Sequence, residues 1–238
     1  MQQEEFILEL DGIKKTFNVG EPNEAEVLHG IHMTLKRGEF CAIVGPSGSG
    51  KSTLLNIVGL LDRPTQGSLR IVGQETVQLE DAALTRLRGH TIGFVFQYHH
   101  LINAFTALEN VMMPALIAGV DRRESEKRAA ALLEFVGLTH RSGHRPAELS
   151  GGEQQRVAIA RSLILKPKLL LADELTGNLD SENSRNVMDL LESLNTQMGV
   201  SILVVTHDMK IANRMHRIIK MQDGLILSEE KGNLNNIS

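Results

Sequence analysis

One stretch constrains this chain more than any other: Gly45-Pro46-Ser47-Gly48-Ser49-Gly50-Lys51-Ser52, followed by Thr53. It comes after an apolar run, Phe40 to Val44, that reads as a buried strand. It opens a helical pattern predicted from Lys51 to about Leu61. Glycines in such a turn let backbone N–H groups converge on an anion with no Cβ in the way. The helix starting at Lys51 points its positive end at the same anion. Strand, loop and helix in this order make a phosphate cradle, with Lys51 placed to reach β- and γ-phosphates and the Ser52 hydroxyl placed to ligate Mg²⁺. The plainer alternative is a glycine-rich turn with an exposed lysine, and the flanking strand and helix argue against it.

The rest of the pattern is α/β. Short apolar runs at Thr91 to Phe96, Leu169 to Asp173 and Ser201 to Thr206 alternate with helical stretches, as in a largely parallel sheet. From about Thr106 to Ser162 the strand signal is nearly absent. Asp121 and Glu124 have capping-box spacing ahead of a helix carrying Leu132, Leu133 and Val136 on one face, and Gly137 ends it. This section predicts a helical subdomain, residues 106–162, inserted into a single domain spanning 1–238. A strand-like stretch at Phe6 to Leu10 predicts that the first forty residues form a β-rich lobe. The polar tail from Glu229 to Ser238 is expected to fray.

Composition excludes some classes. At 238 residues and 42% hydrophobic residues, the chain can bury the core of one domain. A formal net charge of -4 gives no broad basic surface, so nucleic acid is not expected as a partner. The single cysteine, Cys41, lies in the Phe40–Val44 run, where a buried small side chain in a reducing compartment is the expected role. The polar, acidic start is unlike a signal peptide. No apolar run approaches the roughly 20 residues that span a bilayer, so any work at a membrane requires docking on another chain.

Two further segments carry chemistry. Leu169-Leu-Leu-Ala-Asp173-Glu174 is a buried strand ending in two carboxylates at the sheet edge where ligands bind. Asp173 is the natural Mg²⁺ partner, and Glu174 is placed to polarise a water as general base. Read alone, such a pair is as readily a solvated loop. Leu149-Ser150-Gly151-Gly152-Glu153-Gln154-Gln155-Arg156 reads as a helix start, with Ser150 and Glu153 at capping-box spacing and two glycines open to a ligand.

This last segment resembles the signature motif of ABC (ATP-binding cassette) transporter ATPases, and the order and spacing of the other motifs agree over nearly the whole chain. The resemblance implies a P-loop NTPase core with an N-terminal antiparallel β lobe. It implies that Gln97 is the glutamine sensing Mg²⁺ and the γ-phosphate. It implies that Asn178-Leu179-Asp180 lies across a dimer interface, and that His207 contacts the γ-phosphate. Phe17 sits where the family stacks an aromatic, usually tyrosine, on adenine; read alone, it would more often be core. Two copies would face head to tail, each ATP lying between Gly45 to Ser52 of one and Ser150 to Gly152 of the other. An integral-membrane permease would be driven through the groove around Gln97, with this chain peripheral on the cytoplasmic face of a bacterial inner membrane.

Within the family, Gln97-Tyr-His-His-Leu-Ile, Phe105-Thr-Ala-Leu-Glu-Asn-Val and His144-Arg-Pro resemble the lipoprotein-releasing branch most, with macrolide-exporter and cell-division ATPases as alternatives. A DNA-repair or translation ATPase is disfavoured, because two cassettes, long coiled coils or zinc cysteines are lacking. His99 and His100 are not expected to bind metal, since adjacent histidines point apart. Two residues depart from the family pattern. Glu153 replaces the commoner glutamine, and Leu175 replaces the proline that usually follows the carboxylates. A proline there would restrict Glu174, so Leu175→Pro is expected to raise or change hydrolysis.

Overall fold

The computed structural model describes residues 5–175, 177 and 179–234. The chain opens with a long hairpin, β1 (Phe6–Phe17) and β2 (Ala25–Lys36), then β3 (Phe40–Val44) and α1 (Lys51–Val58). Next come β4 (Gln66–Ile71), β5 (Gln74–Glu75), α2 (Asp81–Thr91) and β6 (Ile92–Val95). Three helices follow without an intervening strand: α3 (Ala107–Ile117), α4 (Arg122–Phe135) and α5 (Gly151–Leu163). The chain then returns through β7 (Leu169–Asp173), α6 (Ser181–Met198), β8 (Ser201–Thr206) and the short α7 (Met209–Ala212). It finishes on a hairpin, β9 (Arg217–Gln222) and β10 (Leu225–Lys231).

The fold is α/β. A four-stranded antiparallel sheet runs β2-β1-β4-β5, and a six-stranded sheet runs β10-β9-β3-β8-β7-β6. Within the latter β9, β3, β8, β7 and β6 are parallel, and only β10 is antiparallel. Its central strands read as continuous apolar runs because both faces are covered. Cys41, Ile43, Leu169, Leu171, Leu203 and Val205 face α1 and the antiparallel sheet. The alternate residues Phe40, Ala42, Leu170, Ala172, Ile202 and Val204 pack with residues of α5 and α6. A separate apolar cluster joins α3, α4 and α5 through Val111, Met112, Leu133 and Val157.

Several boundaries differ from expectation. The helix after the phosphate loop stops at Val58 rather than Leu61. Gly59 caps it, Leu60 turns left-handed at φ 56°, and the Leu61 N–H returns to the Asn56 carbonyl. Gly59 is there for space, since a Cβ on it would lie 2.0 Å from the Phe94 ring. Thr91 closes α2, a helix the polar sequence did not announce, so β6 is shorter than the run from Thr91 to Phe96. The β lobe is not confined to the first forty residues, because β4 and β5 complete its sheet after α1. Glu229 to Lys231 do not fray. They lie in β10, where Arg217 holds Glu229 at 2.9 Å and Lys220 holds Glu230 at 2.6 Å. The tail beyond 234 lies outside the described residues.

The capping box at Asp121 is only half formed. Asp121 accepts from the N–H groups of Arg123 and Glu124, but the Glu124 carboxylate turns to Arg128 at 2.6 Å.

Candidate functional site

Parallel strands deliver their carboxyl ends to one edge of a sheet, and here that edge collects several of the residues singled out above. In order across the sheet, β6 leads to Gln97, β7 to Asp173 and Glu174, β8 to His207, and β3 to the loop Gly45–Gly50. A cavity of about 560 Å³ opens there, lined by Gly45, Ser47 to Thr53, Glu174 and His207, with Val27 of β2 closing one side.

The loop is shaped by glycine. Gly48 and Gly50 adopt φ 81° and 93°, which a side chain would strain. Gly45 leaves no room for a Cβ, which would fall 2.1 Å from the Met221 carbonyl oxygen. Gly50 caps α1 in a left-handed conformation and gives it no side-chain hydrogen bond, so no side chain caps the first N–H groups of the helix. Lys51 folds back over the loop. Its ammonium donates to the carbonyls of Gly45 and Pro46 at 2.8 and 2.7 Å, and to Ser49 Oγ at 3.3 Å. Burial lowers its pKa, while the carboxylates of Glu174 and Asp173 oppose that shift.

Burial raises the pKa of Asp173, and its neighbour Glu174 raises it further; Lys51 and a hydrogen bond from Ser52 work against both. Asp173 Oδ1 is buried with no hydrogen-bond partner among the described residues. An orphaned carboxylate oxygen beside a serine hydroxyl is the hard-oxygen donor set that Mg²⁺ takes, so these residues fit that ion. Glu174 sits at φ 45°, an uncommon conformation for a side-chain-bearing residue. Its N–H is tied to the Val205 carbonyl at 2.9 Å, and its Oε1 lies 3.3 Å from His207 Nδ1. Leu175 is only 3% exposed and packs into the core cluster with Val187 and Met188. Gln97 lies against Gly177, where a Cβ would come within 2.9 Å of Gln97 Nε2.

The structure does not bring every named residue to this cavity. Phe17 ends β1 half exposed, with the Lys15 ammonium 4.9 Å from its ring centre, outside the cavity lining. Asp180 caps α6, accepting from the N–H groups of Glu182 and Asn183. Thr176 and Asn178 lie outside the described residues. Ser150, Gly151 and Gly152 also lie outside the cavity lining. Ser150 caps α5 in a complete capping box: the Glu153 N–H donates to Ser150 Oγ at 3.2 Å, and Glu153 Oε2 accepts from the Ser150 N–H at 2.8 Å.

Some contributors could not be read from the sequence. Val27 reaches the cavity only because β2 passes the loop. Arg141 pairs with Glu153 at 3.0 Å, twelve residues away. Arg161 donates to the carbonyls of His99 and His100, both at 2.7 Å, and so shapes the segment after Gln97.

The sequence profile of the family described as ABC transporter matches residues 28–177. The chain is 57% identical, over 221 residues, to a lipoprotein-releasing system ATP-binding protein of Rhodopseudomonas palustris, covering 92% of this chain and 98% of that one. A protein of the same description from Geobacter metallireducens is 54% identical over 223 residues, covering 94% and 99%. Among solved structures, a dimeric ATP-binding cassette in a post-hydrolysis state bound to ADP and phosphate superposes with a TM-score of 0.86 at 44% identity, covering 94% of this chain and 98% of that one. A protein from Clostridium perfringens, part of an ABC transporter complex, gives 0.88 at 28% identity, covering 98% and 91%.

Proposed function

The chain belongs to the ABC transporter family and is an ATP-binding and ATP-hydrolysing subunit; from that premise we propose that it drives lipoprotein release from a bacterial inner membrane. The observation carrying this reading is the near-complete overlap with relatives described as lipoprotein-releasing system ATP-binding proteins, at 57% and 54% identity.

In this reading the ATP phosphates enter the cavity at Gly45 to Thr53. The loop amides and the uncapped start of α1 hold them, and Lys51 exchanges its carbonyl partners for phosphate oxygens. Phe17 stacks on the adenine. Mg²⁺, held by Ser52 and Asp173 with Gln97 nearby, supplies charge neutralisation for the phosphates when bound. Glu174 is the general base. His207 holds one of its carboxylate oxygens and leaves the other to take a proton from the attacking water. His207 also meets the γ-phosphate as the reaction proceeds.

The site is completed by a second copy. Ser150, Gly151 and Gly152 of one copy close on the phosphates held by the other, and Asp180 lies at the same interface. The dimeric ATP-binding cassette bound to ADP and phosphate, with which the chain superposes at a TM-score of 0.86, supports this arrangement.

No helix among the described residues is long and apolar enough to cross a membrane. In this reading the force is handed to a permease. Its seat is a groove beside the section 106–162, which we take as a helical subdomain within a single domain. Leu61, Phe94, Phe96, Pro114 and Ile117 line this groove, with Arg88 and His90 at its side. Leu61 and Ile117 are exposed there, as docking residues are. The chain would then work peripherally on the cytoplasmic face.

The test uses Glu174→Gln, which should bind ATP and hydrolyse it about 100-fold or more slowly. Isolated from its own membranes with MgATP, it should carry an integral-membrane protein with few helices and a large periplasmic domain, identified by mass spectrometry. Membranes depleted of the protein should also stop releasing lipoproteins. Recovery of only soluble or nucleic-acid partners would overturn the transporter reading. Recovery of a drug-export or cell-division permease would overturn lipoprotein release alone.

A further inference from the structure

The start of α5 carries a charge that its proposed task makes awkward. Glu153 is the third residue of the helix, and its side chain is only 14% exposed. One carboxylate oxygen is engaged by the Ser150 N–H, the residue whose hydroxyl is to meet a phosphate. Hydrogen bonds from Ser150 and the charge of Arg141 keep Glu153 ionised, below the ordinary carboxylate range. An anion one turn from a triphosphate repels it, and low exposure weakens the screening by water and salt.

Arg141 answers that charge. Its Nε lies 3.0 Å from Glu153 Oε1, and its Nη1 lies 3.2 Å from His144 Nε2. Arg141 is not a loose surface side chain. It ends a 3-10 turn, Thr139–Arg141, in a loop that is tied to the first turn of α3. The Ala107 N–H donates to the His144 carbonyl at 2.8 Å, and the Leu108 N–H to the Ser142 carbonyl at 3.0 Å. The guanidinium therefore approaches Glu153 from a fixed platform, so little freedom is lost when the pair forms.

We propose that Arg141 is a positioning residue for ATP hydrolysis: it neutralises Glu153 and fixes the start of α5, so that Ser150, Gly151 and Gly152 can close on the ATP held by a second copy. This rests on the reading of α5 as half of a shared site. Arg141 itself need not touch the nucleotide. Its effect falls on closure of the pair and not on the first binding of ATP, which the phosphate loop of each chain performs alone.

The test separates charge from scaffold. Full-length Glu174→Gln protein is the parent, and ATP-driven dimerisation is followed by light scattering. Adding Arg141→Gln should weaken dimerisation roughly tenfold or more, because it leaves a little-exposed carboxylate unpaired. The affinity of the monomer for ATP should hold. Adding Glu153→Gln to Arg141→Gln should bring dimerisation back to the level of Glu153→Gln alone, since the amide still accepts the Ser150 N–H without the charge. ATPase rates in the Glu174 background should follow the same order. If Arg141→Gln dimerises as the parent does, the inference fails and the shared site stands. Failure of Glu153→Gln to rescue overturns the charge role and leaves Arg141 as scaffold only. A parent that forms no dimer with ATP overturns the shared-site reading, and this inference falls with it.

Discussion

Two helices of this molecule begin beside glycines, and they begin in opposite ways. At α1 the cap is Gly50 in a left-handed turn, with no side-chain hydrogen bond to the first N–H groups. At α5 the cap is Ser150, joined to Glu153 in a reciprocal box. A helix end that caps itself has fewer donors for a ligand, and one that does not cap itself presents them. The first is therefore a cradle that can take phosphate within one chain. The second is a finished, rigid edge with little more than a serine hydroxyl and glycine N–H groups to present. On the proposed reading, the difference teaches how one chain can hold two phosphate-directed features with unequal tasks, one to bind and one to close.

The comparison can be broken at its stronger end. Lys51→Met removes the buried cation of the cradle, and hydrolysis should fall by at least about 100-fold, with ATP affinity lost in the monomer. Retained nucleotide binding in an equilibrium titration would mean that the loop amides suffice. Gly152→Ala probes the other end. Its Cβ would lie 2.3 Å from Asn183 Oδ1, so the Asn183 side chain or the start of α5 must shift. Hydrolysis should fall about tenfold or more, with ATP affinity in the monomer intact. A parallel loss of monomer binding would erase the distinction drawn here.

Leu175→Pro tests the carboxylate between the two. It deletes a buried side chain, which should lower stability by roughly 1–3 kcal/mol in denaturant unfolding. It also restricts Glu174, so the steady-state rate should change by about twofold or more. Equal rates would make Leu175 a core residue and nothing else. The smallest effect concerns the closed cap. The pKa of Glu153 is depressed, so its ionised form stabilises the fold above the ordinary glutamate value. That contribution disappears as pH falls through the depressed value. Wild type should exceed Glu153→Gln by up to about 1 kcal/mol at neutral pH and lose the advantage in acid. A difference independent of pH would show that the box needs only the shape of the side chain.

The sequence disclosed features whose chemistry is contiguous. The glycine loop, the strand ending at Asp173 and Glu174, and the Ser150–Glu153 box each lie within eight residues, so local spacing carried their meaning. Features that depend on distant neighbours stayed hidden. The left-handed turn at Glu174 has no glycine to mark it; its N–H is held by Val205, on the next strand. The polar run Glu229 to Lys231 looked like the start of a tail because its partners, Arg217 and Lys220, lie across a hairpin. Arg141 gave no signal at all, since only folding sets it against Glu153. Gly59 looked like part of a helix, and only the Phe94 ring explains it.

The contact between Gly152 and Asn183 has one more consequence. Asn183 Oδ1 fills the space a side chain at 152 would need, and the same residue holds Asp180 through its N–H at 2.8 Å and its Nδ2 at 2.7 Å. Asp180 starts α6, six residues after Glu174. The start of α5 at Gly152 and the start of α6 at Asp180 are thus held together through one side chain, like two marks on a ruler. If two copies pair head to tail as proposed, the starts of α5 and α6 of each chain would move as one body.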